Sequence, residues 1–164
     1  MNKLIIATIC ILLVSCEYHF KLDNTHILAW VNDNSELLNE VSDAAKKLHI
    51  DADIHTVEDI QNMNVLYAYG ADAERVRNTI MRLFNSIDYP AKSIFFHFGK
   101  KSTHKSIYIS LYNSGFCAAF SDCVNTSLVF YDSKSLIYEH YSYHYFETNL
   151  EGWYILKVTE QKDI

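Results

Sequence analysis

The chain has 164 residues, of which 49% are hydrophobic and 21% are charged, so it can bury the core of one domain without help from metals. It has only four glycines and one proline, which excludes collagen-like repeats and glycine-rich phosphate loops. The formal charge of −6 argues against nucleic acid as a general partner, since phosphate binding needs a surplus of lysine and arginine.

Residues 1–15 have the features of an export leader. Lys3 precedes a largely apolar run, residues 4–14, which is too short to span a bilayer. The run ends in Leu13-Val14-Ser15-Cys16, with an aliphatic residue three positions before the cysteine and a small residue directly before it. These four residues resemble the lipobox of bacterial lipoproteins.

The resemblance implies that Cys16 becomes the first residue of the mature chain and carries acyl chains, such as palmitate, that anchor it in a lipid bilayer. Glu17 follows instead of aspartate, which resembles the default for sorting to the outer membrane, so we expect the periplasmic face of that membrane. Removal of Lys3 with the leader leaves 13 basic against 20 acidic side chains. The alternatives are an ordinary secretory signal cut nearby, or a buried N-terminal strand or helix.

The mature chain is predicted to begin with a short polar tether, residues 16–25, followed by a single domain, residues 26–160. In the first half of that domain, Asp33 and Asn34 are the predicted N-caps of the first helix, and Glu36, three residues after Asp33, gives the spacing of a capping box. The apolar spacing there predicts the pattern β-α-β-α: strand 27–31, helix 34–48, strand 65–69 and helix 72–86, with a weaker strand signal in residues 51–64.

The second half of the domain alternates strand-like runs with turn signals. The predicted strands are residues 94–98, 106–112, 116–121, 127–131, 136–146 and 153–158. The whole pattern predicts an α+β fold in which two amphipathic helices pack on a mainly antiparallel sheet, β-α-β-α followed by a β-meander.

The densest candidate site lies in residues 138–146. His140 and His144 are four residues apart, which on a strand separates them by about 13 Å, so they cannot bind the same metal ion. Tyr141, Tyr143 and Tyr145 alternate onto one face of that strand and predict a tyrosine-rich recognition surface. The alternative is an ordinary strand with one packed and one solvated face. No metal ion or other cofactor is predicted.

Three further features have competing interpretations. Cys117 and Cys123 predict a structural disulfide in an oxidising compartment, with free thiols or a metal or redox role as alternatives. The basic residues 100–105 predict a solvated hairpin tip, or a contact with anionic lipid headgroups or an acidic partner. The acidic residues within 51–59 lack the spacing of a calcium site and predict an exposed loop, or a pair of glycosidase carboxylates if the tertiary fold happens to bring two of them together.

These features favour a membrane-anchored, non-catalytic lipoprotein that binds an envelope protein, as an accessory subunit or an immunity-type protein. No catalytic residue is assigned. One alternative is a periplasmic or cell-wall hydrolase that uses His97, His104 or His140. The other is a small-ligand binder with a cavity of several hundred cubic ångströms inside the sheet–helix layer.

Overall fold

The computed structural model describes residues 24–63, 70–88, 92–102, 104–113, 123–133 and 143–160. The helices in these ranges are α1 (Asn24–Asp33), α2 (Ser35–Leu48), α3 (Val57–Asn62) and α4 (Ala71–Ser86). The strands are β1 (Asp51–Ile54), β2 (Ser93–His97), β3 (Ser106–Asn113), β4 (Cys123–Tyr131), β5 (Tyr143–Glu147) and β6 (Trp153–Glu160). The predicted leader, most of the tether, and the predicted strands at 65–69 and 116–121 lie outside the described residues.

The strands form one antiparallel sheet in the order β1-β2-β3-β4-β6-β5, which confirms the α+β fold class. The meander continues through β4, but β6 then lies between β4 and β5. Burial explains this order: four consecutive residues of β6, from Trp153 to Leu156, are buried on both sides of the sheet, whereas β5 is largely exposed. A strand that buries both faces belongs inside the sheet, and an exposed strand belongs at its edge.

The prediction of a strand over residues 27–31 is wrong, because they belong to helix α1. A short apolar run does not by itself distinguish a strand from a buried helix. Ile27 and Val31, four residues apart, bury one face of α1 completely. Trp30 extends from the same helix, and its Nε1 donates a 2.8 Å hydrogen bond to the carbonyl of Ser86 at the end of α4. This bond satisfies a carbonyl that has no partner within its own helix.

Helix α2 confirms the predicted helix over residues 34–48 and one of its two predicted N-caps, Asn34, but the predicted capping box of Asp33 and Glu36 is wrong, because Asp33 is the last residue of α1. Asn34 occupies the N-cap and its side chain makes no capping bond. Its Nδ2 instead donates to the carbonyl of Trp30 at 2.9 Å and so joins α1 to α2. At the other end, His49 adopts a left-handed conformation with φ of 51°. The next residue, Ile50, accepts a 2.8 Å bond from the Phe98 amide, which ties the start of β1 to β2.

Helix α3 was not predicted, because its single turn and a half has too little apolar periodicity to distinguish it from a loop. A capping box starts it: the Thr56 hydroxyl accepts from the Asp59 amide at 3.2 Å, and the Asp59 carboxylate accepts from the Thr56 amide at 2.7 Å. Hydrogen bonds from the backbone amides of His55 and Thr56 lower the pKa of Asp59. Part of the predicted acidic loop is therefore a helix N-terminus.

Helix α4 confirms the predicted helix over residues 72–86 and packs beside α2. Arg77 on this helix donates from Nε and Nη2 to the carbonyl of Met63, at 3.3 and 3.0 Å. Met63 is the C-cap of α3, so the guanidinium fixes the end of α3 against α4. Together the helices cover one side of the sheet and form with it the main hydrophobic core.

Candidate functional site

The two sides of the sheet have different compositions, and the difference follows from strand alternation. On β3, Ile107, Ile109 and Leu111 are fully buried in the core shared with the helices. Tyr108 lies between them in sequence and therefore points to the other side. That second side has its own small core, which contains no residue of any described helix.

The second side carries a band of aromatic side chains that we call the tyrosine face. It comprises Phe95, His97, Tyr108, Tyr131, Tyr143, Tyr145 and Tyr154. Register brings these residues together from five strands: Phe95 pairs with Tyr108, Tyr108 with Val129, and Val129 with Tyr154. Residues paired in this way share a face and lie within contact distance.

Three phenol hydroxyls meet at the centre of the tyrosine face. The Tyr131 hydroxyl lies 2.8 Å from that of Tyr108 and 3.3 Å from that of Tyr145. The rings of Tyr108 and Tyr131 meet edge to face, with centroids 6.1 Å apart, and Tyr154 lies 6.4 Å from Tyr131. The hydroxyl contacts and the ring contacts fix each side chain against its neighbours.

Burial raises the pKa of Tyr131 far above its ordinary value of 10, and the hydrogen bonds with Tyr108 and Tyr145 raise it further. Burial also raises the pKa of Tyr108. These phenols therefore keep their protons at neutral pH. A proton held this tightly does not suit a general acid or base near neutrality.

The tyrosine face has a buried floor and a more accessible outer layer. Tyr131 and Tyr154 retain only 6% and 5% of their surface and form the floor. Tyr143 is 40% exposed, while His97 and Tyr145 are half-buried. The floor residues cannot make wide contact with another molecule, but they fix the position of the outer rings.

Carboxylates lie at both ends of this band. Asp51 and Asp53 on β1 pair with His97 and Phe95, so they share their side of the sheet, and both are exposed. At the other end, Glu147 pairs with Tyr154 and is also exposed. The tyrosine face thus has an aromatic centre and an acidic rim.

The structure places two of the three predicted recognition tyrosines, Tyr143 and Tyr145, on this face. Tyr141 lies outside the described residues, as do Cys16 and Cys117. Cys123 is the first residue of β4, but its side chain is not described, so the disulfide between Cys117 and Cys123 stays a prediction. The lipid site at Cys16 stays a prediction as well.

Sequence reasoning missed the convergence of Tyr108, Tyr131 and Tyr154 on the predicted surface. The sequence does carry a signal for Tyr108, because it lies between Ile107 and Ile109 in a predicted strand and alternation directs it to the opposite side. The pairing of β4 with β6, which adds Tyr154, has no counterpart in the local sequence.

The histidines considered for a hydrolase lie in different surroundings. His97 is half-buried on β2, and its ring meets that of Tyr108 edge to face at 6.0 Å. His104 is exposed in the turn between β2 and β3, and His140 lies outside the described residues. Among the side chains that the structure describes, no group of three His, Cys, Asp or Glu residues is arranged to hold a metal ion.

The predicted basic hairpin tip is present, although one of its cations has a structural role. The Lys105 ammonium donates to the carbonyls of Phe98 and Gly99 at 3.1 and 2.7 Å, which closes the turn between β2 and β3. Lys101 is exposed at the same turn.

Two described surface grooves have room for a small molecule. One, of about 320 Å³, lies between α2 and α4 and is lined by charged residues of both signs, including Glu40, Lys47 and Arg75. The other, of about 350 Å³, lies between α2 and the ends of β4 and β6 and contains the 3.2 Å ion pair of Lys46 and Asp132. Both are open and charged at the rim, unlike the mostly apolar, enclosed sites that bury small ligands.

None of the described helices is long and apolar enough to cross a membrane. Comparisons of the chain with protein-family models, with curated proteins and with solved structures found no match.

Proposed function

We propose that this chain is a non-catalytic protein-binding module of the bacterial cell envelope, held at the membrane through Cys16, and that it binds its protein partner with the tyrosine face. The observation that carries the proposal is the packed band of tyrosines on the side of the sheet to which no described helix contributes. A soluble domain with no use for this side would be expected to carry polar residues there.

The arrangement suits recognition because its side chains are fixed before binding. The hydroxyl of Tyr131 contacts those of Tyr108 and Tyr145, so the rings lose little rotational freedom when a partner covers them. Tyrosine also offers a large apolar ring with a polar end, which explains its enrichment at protein interfaces. Strands hold such residues more rigidly than loops do.

The acidic rim defines the chemistry of the partner. Asp51, Asp53 and Glu147 surround an aromatic centre, and the chain carries a net charge of −6. The complementary surface has an apolar or aromatic centre with lysine or arginine around it. Rim charges of this kind act mainly on the association rate, so binding should weaken and slow as salt rises.

The envelope location is supported by the sequence of the leader. Leu13-Val14-Ser15-Cys16 resembles a lipobox, and acylation at Cys16 would hold the domain at the membrane surface. Cys16→Ser is the direct test: the variant should fail to incorporate labelled palmitate, whereas the parent chain should incorporate it. Equal labelling of both proteins would contradict the anchor.

The binding proposal is tested by photo-crosslinking in cells that express the full chain. Benzoylphenylalanine replaces Phe95 or Tyr143, at opposite ends of the tyrosine face, and replaces Glu74, an exposed residue of α4, in the control. We expect one saturable adduct with the same protein from both test positions and none from position 74.

The protein in that adduct is then purified and its affinity for the full chain is measured. Tyr143→Ser should weaken binding by about tenfold, because it removes an exposed aromatic ring from the contact layer. Asp53→Asn should reduce the association rate and its dependence on salt. If position 74 gives the same adduct, or if neither variant changes binding, the tyrosine face is not the binding surface.

A further inference from the structure

Two of the described histidines lie on the side of the sheet that carries the tyrosine face. His97 belongs to β2, and its ring meets that of Tyr108 edge to face, with centroids 6.0 Å apart. His55 directly follows β1, and its ring meets that of Phe95 edge to face at 5.4 Å. His55 is exposed and His97 is half-buried. Both rings therefore lie at the β1–β2 end of the tyrosine face, within reach of solvent.

Both histidines lie among carboxylates of the acidic rim. His97 pairs with Asp51 across the two strands, and Phe95, the ring that His55 contacts, pairs with Asp53. Paired residues of neighbouring strands share a face and lie within contact distance. The β1–β2 end of the rim therefore combines two carboxylates with two imidazoles, whereas the third rim carboxylate, on β5, lies at the other end.

The remaining charged and titratable groups at this end come from α3, β3 and the turn after β2. The Asp59 carboxylate on α3 accepts a 2.9 Å bond from the backbone amide of His55. Tyr108 faces His97 from β3, and Lys105 donates to the carbonyl of the residue after His97. Exposed charges complete the set: Glu58 on α3, and Lys100 and Lys101 in the turn. Of all these groups, only histidine ordinarily changes its charge between pH 5 and 8.

We propose that acidification weakens partner binding at the tyrosine face through His55 and His97. When both rings are protonated, their charges offset those of the two neighbouring aspartates, and the rim falls from three negative charges to one. The inference rests on the proposed function, because it needs a partner with lysine or arginine around its contact centre. Such a partner is attracted strongly when the two histidines are neutral and much less when they are charged.

The effect should appear in the association rate more than in the dissociation rate, because rim charges act on the approach of the partner. Electrostatic attraction between complementary surfaces raises association rates by about 10- to 1,000-fold. Loss of two of the three rim charges should therefore slow association by about tenfold between pH 7.5 and pH 5.5 at about 50 mM salt. At about 0.5 M salt the Debye length falls to about 4 Å, so the difference between the two pH values should largely disappear.

The test measures association of the full chain with the protein identified by crosslinking, at about pH 7.5 and about pH 5.5. The double variant His55→Gln with His97→Gln has no histidine at this end of the face, so its association rate should differ by less than about twofold between the two pH values. His55→Lys carries a fixed positive charge instead, and it should slow association by about threefold at pH 7.5. Circular dichroism at both pH values checks that each variant is folded.

The matched control is His144→Gln. His144 is exposed on β5 and pairs with Lys157, but its alternation with Tyr143 and Tyr145 places it on the opposite side of the sheet. This variant should keep the full pH dependence of the parent chain. His55→Gln alone should reduce the difference between the two pH values from about tenfold to about threefold, since one titrating ring remains.

The inference is overturned if association of the parent chain does not depend on pH, if the double variant keeps the pH dependence of the parent chain, or if His144→Gln abolishes it. The crosslinks from positions 95 and 143 at pH 7.5 test the proposed function separately. If the adduct forms and the double variant still responds to pH, this inference alone fails; if no adduct forms, both proposals fail.

Discussion

Replacement of Tyr131 by phenylalanine removes the hydroxyl that joins the two others on the tyrosine face while keeping the ring. The Tyr131 hydroxyl lies 2.8 Å from the Tyr108 hydroxyl, which is inside the preferred range for a hydrogen bond between hydroxyls. It lies 3.3 Å from the Tyr145 hydroxyl, which is outside that range. A net contribution of about 1 kcal/mol for the first contact and less for the second predicts a loss of about 1–1.5 kcal/mol of unfolding free energy. For a chain of this length, the midpoint of thermal unfolding should fall by about 2–6 °C.

A double-mutant cycle separates the hydroxyl contacts from general effects of the substitutions. Urea unfolding of the full chain is followed by circular dichroism for Tyr108→Phe, Tyr131→Phe, Tyr145→Phe and the two double variants that include Tyr131→Phe. The coupling between positions 108 and 131 should be about 1 kcal/mol and should exceed that between 131 and 145, in the order of the two distances. Couplings of zero, or the reverse order, would refute the hydroxyl network.

Three further predictions concern stability. Burial raises the pKa of Tyr131 above 10, so the folded state holds this proton more tightly than the unfolded chain does. The contribution of Tyr131 to the unfolding free energy is therefore complete below pH 10 and declines as the pH rises further. When unfolding is measured across pH 8–11, the decline should be smaller for Tyr131→Phe than for the parent chain. Gly152→Ala should lower the free energy of unfolding in urea by about 2–5 kcal/mol, because φ is 80° and a Cβ would lie 2.6 Å from the Phe130 ring. Gly70 has a φ of 57° but open space around it, so Gly70→Ala should lower that free energy by only about 1–2 kcal/mol. Thr56→Ala should cost about 1 kcal/mol in the same assay through loss of the α3 cap.

The parts of the fold that could be predicted from sequence are those with a long periodic signal. Helices α2 and α4 carry apolar residues at helical spacing over several turns, so their existence and extent follow from the pattern. Residues 27–31 and helix α3 are too short to show a period, and tertiary contacts decide them. Trp30 shows this directly, because its hydrogen bond to Ser86 exists only once α1 and α4 have met.

The candidate site was predictable strand by strand but not as a whole. Alternation placed Tyr143 and Tyr145 on one side of their strand, as observed. Alternation within one strand could not show that β6 lies between β4 and β5. The four consecutive apolar residues from Trp153 to Leu156 indicate only that β6 is buried on both sides of the sheet. That order brings Tyr145 within reach of Tyr131, with hydroxyls 3.3 Å apart.

The proposal that the tyrosine face serves recognition rests largely on one side chain, Tyr131. The burial that raises the pKa of Tyr131 also leaves it only 6% exposed, so it can neither exchange protons readily near neutrality nor contact a substrate widely. The same burial lets Tyr131 hold Tyr108 and Tyr145 in fixed positions. Asp51, Asp53 and Glu147 lie at the rim, where under the proposed function they attract a basic partner. A rigid aromatic centre with charge confined to its edge is the arrangement that the proposed contact surface needs.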